Sequence, residues 1–382
     1  MPRVTLVRGA RQLLTLHGPS GPRRGADLRN LGLIQDGAVL IVDGLIKEVG
    51  SSRRVENLAL ARQADEIDAT GRVVMPGFVD SHTHFAGEAT GGSARALETQ
   101  TLRAIEDAVR HGTTTLEVKA GDIKFLKALD KQPISVVSTF LCTPAVGEYR
   151  ARPDQYLEWV CANLLPLVKR RKLAEFADIL CEEGAFGHDH ARHYLTAARE
   201  LGFGLKLHTG HSSKAGLIRL AVEMAASSVD QVVDINVEDA ALLAQSATLV
   251  TLLPGDTFYR EEEPYAPARM LIDSGVAVAL ATNYDPETCP SQNMQLTLTL
   301  ACRRMNMTPA EAITAATLNG AYALSRATTI GSLESGKNGD LIILSVPDYR
   351  EIPYHFGINL VDLVMKNGSV LVERPEVKWP VS

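Results

Sequence analysis

Cysteine is scarce in this chain and shows no pairing pattern. The five residues, Cys142, Cys161, Cys181, Cys289 and Cys302, include no CxxC pair. An odd count without such spacing argues against a disulfide framework and for a reducing compartment, so a cytoplasmic location is expected. No stretch of about 18 apolar residues occurs, and no transmembrane helix is expected. The opening MPRVTLVRGARQLLTL lacks the continuous apolar core of a signal peptide. Charge of one sign is missing too. The net charge is −6, from 39 basic and 45 acidic side chains, with no run of five like charges. That removes the electrostatic footprint of a nucleic-acid binder or of a protein held to an anionic membrane. No internal repeat is evident.

What is present is ordinary globular material. Hydrophobic residues make up 45% and charged residues 22%, enough to bury a sizeable core. A chain of 382 residues fits a barrel of about 250 residues plus a second unit. The two ends read as β structure. Val4–Val7, Ala38–Val42 and Leu45–Val49 are strand-like, and Asp43-Gly44 between the last two is a hairpin turn. Gly18–Asn30, rich in Gly, Pro and Arg, reads as a loop. Near the C-terminus Leu341–Val346, Leu363–Met365 and Val370–Val372 are strand-like, with Asn367-Gly368 as a second hairpin turn. Residues 1–72 and 328–382 are therefore expected to form one small composite β-sandwich.

The middle, residues 73–327, alternates. Strand-like runs fall at Gly77–His82, Thr114–Lys119, Ile134–Phe140, Asp178–Cys181, Gly204–His208, Val229–Asp234, Thr248–Leu253 and Val276–Ala281. Helical patterns separate most of them: Arg95–Arg110, Gln155–Arg171, His190–Glu200, Lys214–Ala226, Val237–Ser246 and Pro267–Ser274. Strands alternating with helices make parallel βαβ units, and eight of them close a (β/α)8 TIM barrel.

In such a barrel chemistry sits at the C-terminal strand ends. The first strand ends in His82-Thr83-His84, and alternation points both imidazoles the same way, able to chelate one divalent ion. His208 ends the fifth strand, where a third ligand is wanted, and His211 follows in the loop. The eighth strand ends in Thr282-Asn283-Tyr284-Asp285. Asn283 holds the place where a carboxylate would bind metal, and an amide can neither carry charge nor act as a base. Asp285, two residues on, is a candidate base. Lys119 ends the second strand and could orient a substrate carbonyl or pair with Glu117 or another neighbour. Glu182, after the fourth strand, and Gln231, at the sixth, are candidate substrate contacts. His188, His190 and His193 imitate a metal cluster but fit an exposed helical face.

These residues resemble the amidohydrolase superfamily, and within it the imidazolonepropionase-like branch. The resemblance runs through Val74–His84, Gly112–Gly121, Tyr149 with the helix after it, Leu252–Gly255, Ala279–Pro286, Ile330–Lys337 and Tyr354–Asn359. It implies a barrel with a composite β-sandwich, hydrolysis of cyclic amides, a small-molecule substrate and a possible homodimer. It also implies one zinc or iron held by the HxH pair, a strand-five His and a strand-eight Asp. By position the histidines are His82, His84 and His208. The departures are specific. The metal-binding Asp falls on Asn283, the Glu three residues after the third metal His falls on His211, and the catalytic His of strand six falls on Gln231. Leu141–Pro144 offers no substrate-contacting His after strand three, and the arginine- and tyrosine-bearing segment after strand one is missing. Losing such groups argues against the branch's own substrate. The expected function is hydrolysis of a cyclic amide or related C–N bond with metal-activated water and Asp285 or His211 as the base. The alternatives are an inactive binding protein on this scaffold, or a non-hydrolytic lyase, isomerase or deaminase using the same metal.

Overall fold

The computed structural model describes residues 2–85, 94–128, 132–144, 151–182, 186–210 and 216–374, without the side chains of 94–98 and 128. Eleven N-terminal residues, Val4–Leu14, form β1. It is followed by β2 (Leu33–Val42), β3 (Leu45–Ser51), β4 (Asp65–Asp68) and β5 (Val73–Pro76). From the other end come β14 (Leu341–Leu344), β15 (Val361–Lys366) and β16 (Ser369–Glu373). These eight strands make one sheet in the order β16-β15-β14-β5-β1-β2-β3, with β4 beside β1. Val39 and Ile41 from one terminus and Ile343, Leu363 and Met365 from the other share one apolar core.

The two turn signals explain the register. Asp43 and Gly44 have φ of 49° and 85°, and Asn367 and Gly368 have 48° and 70°. Positive φ at both central residues is the type I′ turn, whose twist matches that of the strands it joins. Gly339 ties the two hairpin tips together, donating to the Gly44 carbonyl at 2.8 Å and accepting from Gly368 at 3.0 Å. A Cβ on Gly44 would lie 2.8 Å from the Asn367 carbonyl oxygen, so the tips meet because glycine stands there.

The barrel strands are β6 (Phe78–Asp80), β7 (Thr113–Ala120), β8 (Ser135–Cys142), β9 (Phe176–Cys181), β10 (Gly204–Thr209), β11 (Ser228–Asp230), β12 (Leu249–Leu252) and β13 (Val278–Leu280). They pair in sequence order, each neighbour parallel to the next. Their side chains are almost all buried, as expected when helices cover one face and the barrel interior the other. The ring closes just past β13 and β6. Asn283 N donates to the His82 carbonyl at 3.1 Å, and His84 N donates to the Tyr284 carbonyl at 2.6 Å. Below this seam the Asp80 carboxylate accepts from the backbone N–H and the hydroxyl of Thr282, at 3.0 and 2.6 Å. The candidate metal residues of the first and eighth strands are thus part of the closing stitch.

Some of the fold differs from expectation. Val73–Pro76, expected to open the barrel segment, pairs with β14 and β1 of the terminal sheet. The helix expected over Gln155–Arg171 contains a wide turn at Val160–Leu164. The helices Met294–Arg304 and Pro309–Thr314 are absent from the sequence reading, and the helical turn Ala315–Asn319 that continues the second packs on β6 and β13, where the barrel closes. The second opens on a capping box of Thr308 and Glu311. Among the described residues no helix is long and apolar enough to cross a membrane.

Candidate metal centre

Three imidazoles meet above the seam. Nitrogens of His82, His84 and His208 lie within 4.8 Å of one another. His82 and His84 come from the extension of β6, two residues apart on one face, and His208 from β10. Their ring centroids are 4.7 to 6.0 Å apart. Burial, with the Lys119 ammonium and, for His84, the His208 ring, holds His82 and His84 well below the usual imidazole range. Burial lowers His208 as well. All three are therefore neutral at pH 7, the form that donates a lone pair to a metal.

The His82 tautomer follows from its partner. Its Nδ1 lies 2.7 Å from Asp230 Oδ2. Burial would raise the Asp230 carboxyl, but Lys119, Lys206 and His82 outweigh it and hold it well below the usual carboxylate range. An ionised carboxylate only accepts, so Nδ1 carries the proton and Nε2 the lone pair. That nitrogen is 3.0 Å from His84 Nε2, a spacing at which two imidazoles share a proton or a cation. A carboxylate behind a metal-binding histidine is the usual device for fixing its ring and raising its basicity.

Two further buried side-chain atoms, His208 Nδ1 and Asn283 Oδ1, have no hydrogen-bond partner among the described residues. An orphaned buried acceptor is costly unless something meets it. Asn283 has φ 55°, a left-handed conformation that Asn and Asp adopt more readily than other residues with a Cβ. Three converging imidazoles suit a borderline cation such as zinc or iron, so they fit the divalent ion that the resemblance implies. No carboxylate stands in the imidazole trio.

Beneath the trio lies a dry layer of charge. Lys119 Nζ donates to Asp178 Oδ2 at 2.6 Å and to Asp230 Oδ2 at 2.5 Å. Lys206 Nζ donates to Glu117 Oε2 at 2.9 Å, and Thr139 donates to the other Glu117 oxygen. All the paired charged side chains are fully buried. Burial works against the Lys119 charge, but Asp178, Asp230 and Glu117 outweigh it and raise its pKa. Lys119 is thus placed in the floor of the site as an ion-pair partner.

The family profile described as the amidohydrolase family matches residues 73–371. The chain belongs to the amidohydrolase family. An imidazolonepropionase of Alkaliphilus metalliredigens is 37% identical over 416 aligned positions, covering 97% of this chain and 99% of that protein. One from Bacillus cytotoxicus is 36% identical, covering 98% of each. Among solved structures, a triazine hydrolase variant superposes with a TM-score of 0.77 at 18% identity, covering 98% of this chain and 96% of the other. A zinc-bound adenosine deaminase from Xanthomonas campestris gives 0.75 at 17% identity, covering 97% and 93%. At such identities the solved structures speak for the fold. Family membership makes this a metal-dependent hydrolase in its coarse class.

The remaining sequence candidates are placed variously. Gln231 is bound at both ends of its amide. Its Oε1 is 2.6 Å from His208 Nε2, and its Nε2 donates to Asp256 Oδ2 at 2.6 Å. Asp285 caps a turn, its Oδ1 accepting from the N–H groups of Glu287 and Thr288, both at 2.8 Å, and it is outside the metal-type groups found among the described residues. Glu182 is exposed, its Cγ packed by Gly210 at the end of β10. His211 lies outside the described residues. His190 and His193 pair with Asp154 and Glu158 on a neighbouring helix, apart from the metal centre.

Sequence reasoning missed Asp178, Lys206 and Asp256. A signal for the first two existed: charged residues inside strands buried on both faces must find one another. Asp256 sits in the helix Pro254–Tyr259 after β12, and no spacing rule links it to Gln231.

Proposed function

We propose that this chain hydrolyses a cyclic amide or related C–N bond, using one zinc or iron ion, on a substrate other than that of imidazolonepropionase. The single observation behind the metal is the convergence of His82, His84 and His208, each with a ring nitrogen within 4.8 Å of the others. A divalent ion there would acidify water and polarise a carbonyl. The chain's own residues do the rest. Asp230 fixes the His82 ring, Lys119 holds Asp230, and Asn283 contributes a neutral oxygen. Of the two bases the sequence offers, Asp285 spends one carboxylate oxygen on its turn, which leaves His211 as the proton acceptor to test.

The difference in substrate is supported by Gln231 and Asn283. Where the family pattern has a proton-carrying His, this chain has an amide engaged on both sides. Where the pattern has a carboxylate, it has an amide oxygen. The same two residues favour a second reading, a binding protein on an inactive scaffold. Elemental analysis, paired with a His208→Ala variant, separates them. About one zinc or iron per chain, lost in the variant, and turnover of some member of a panel of lactams, hydantoins and imidazolones are expected. No metal after supplementation would overturn the hydrolase reading. Metal without turnover across the panel would favour the binding protein. Mass analysis of product tests for the one added water that separates hydrolysis from a lyase or isomerase.

A further inference from the structure

We infer that the apolar groove along the helices Pro254–Tyr259 and Met294–Arg304 is a self-complementary surface on which a second copy of this chain docks about a two-fold axis. Among the described residues five aromatic side chains are largely exposed: Trp159, Phe258, Tyr259, Tyr354 and Phe356. Phe258, Tyr354 and Phe356 gather around this one groove of about 940 Å3, which Leu296 and Leu300 of the second helix also line. Tyr259 is the next residue after Phe258 in the first helix. Aromatic surface in water is unfavourable, and exposed apolar patches of this kind mark contact sites. Tyr, Phe and Arg are the residues enriched in the cores of protein interfaces.

Shape, charge and area each favour a like partner. The surface is concave, yet its Tyr354 and Phe356 are 66% and 73% exposed and so project from it. A knob beside a hole on one face is what an isologous contact needs, because each copy gives its knob to the other's hole. A small ligand would need the hole alone. Of the charged residues at the groove, Arg304 pairs with Glu263 and lies 4.8 Å over the Tyr265 ring, so both are satisfied within one chain. Arg303, on the second helix, and Glu261, just past the end of the first, also line the groove. Both are exposed, and neither is spent on an ion pair among the described residues. A two-fold axis sets Arg303 of each copy against Glu261 of the other. An aromatic side chain buries about 150–250 Å2, so the four exposed ones here leave roughly 500 Å2 open. A standard interface takes about 800 Å2 from each partner, and these four residues supply more than half of it. None of them belongs to the imidazole trio, so the inference stands apart from the hydrolase reading.

The test is sedimentation of the full chain over a range of concentrations, with circular dichroism to show that each variant is folded. The parent is expected to sediment at twice the 41.3 kDa chain mass. Phe356→Asp places a charge in the contact twice and should raise the dimer Kd by about 100-fold or more. Trp159→Asp, at the exposed aromatic outside the groove, should leave the dimer as it is. Arg303→Glu and Glu261→Arg, each made alone, set like charges together and should weaken the dimer by about tenfold or more. Both changes in one chain restore the pairing across a two-fold axis, so the double variant should dimerise nearly as the parent does. A parent that stays monomeric through the micromolar range would overturn the inference and leave the groove to another occupant. A dimer indifferent to Phe356→Asp would place the contact on a different face. A double variant no better than its single variants would overturn the two-fold pairing of Arg303 with Glu261.

Discussion

Lys119→Met is the sharpest test of the charged floor. The ammonium lies 2.6 Å from Asp178, 2.5 Å from Asp230 and 3.9 Å from Glu117, with all of these side chains fully buried. Methionine fills much of the same volume but leaves two carboxylates facing each other without a cation. Removing one partner of a buried pair costs about 3–5 kcal/mol, because the remaining charge is desolvated and uncompensated. At about 2.1 cal/mol/K of unfolding entropy per residue, the 382 residues give about 0.8 kcal/mol/K. The expected fall in Tm is therefore about 4–6 °C. Asp230 also loses the cation that keeps it ionised, and with it the reason His82 holds its proton on Nδ1. Zn2+ affinity should fall by about 10–100-fold, the usual consequence of disturbing the group behind a metal-binding histidine.

Calorimetry of the metal-free protein isolates the stability effect, and chelator competition the second effect. A double variant, Lys119→Met with Asp178→Asn, removes one of the stranded charges. It should recover about 1–2 kcal/mol, since residues sharing one partner are not additive. A single variant with unchanged Tm and unchanged Zn2+ affinity would refute the reasoning, for it would mean that the carboxylates are neutral in the native protein and that Lys119 compensates nothing.

Asn283→Asp puts a charged oxygen at the end of β13, and the left-handed backbone tolerates it. Zn2+ should bind about tenfold more tightly, and weaker or equal binding by titration would remove Asn283 from the ligand set. Glu311→Gln tests a different part of the molecule. Burial would raise the Glu311 carboxyl, but Arg269, the Thr308 N–H and Arg29 outweigh it and lower its pKa. A depressed carboxylate stabilises above its unfolded pKa and loses that contribution as pH falls. The variant should therefore be less stable by about 2 kcal/mol near pH 7, and the gap should close below about pH 4. A gap that widened in acid would show the sign to be wrong. Gly320→Ala should lower Tm by about 1–4 °C, because its Cβ would lie 2.7 Å from the Val79 carbonyl oxygen and overpacking costs about 1–3 kcal/mol. An unchanged melting curve would mean that the helix shifts freely off β6.

Much of the architecture was legible because local rules and global fold agree. Asp43-Gly44 and Asn367-Gly368 each fit one turn type, and that turn sets the register of the hairpin around it. The eight barrel strands could be read because parallel strands with both faces covered are apolar runs of fixed length. β4 was not readable: Asp65-Glu66-Ile67-Asp68 has no apolar face and is recruited by its neighbour β1. The helices from Met294 onward were passed over because no further barrel strand follows them. In the site, His82 and His84 are marked by their period of two, and His208 by its place at a strand end. Asp230 and Asp256 carry no such mark. Their roles exist only through partners 148 and 25 residues away in the chain, which is a property of the closed barrel and not of any window of sequence.

The exchange at strand six then reads as more than a loss. A histidine there could carry a proton to or from a substrate. Gln231 cannot titrate near neutrality, and both ends of its amide are engaged. The position now carries an amide hydrogen-bonded to His208 and to Asp256. The His82 imidazole is backed by a carboxylate that is itself held by a cation, Asp230 by Lys119. Such pairing orients donors toward a metal and does nothing for proton transfer. The barrel therefore keeps the means to hold a cation while giving up one means of moving protons around it. On the hydrolase reading proposed above, a substrate suited to this site would need polarisation and water more than it needs a second acid.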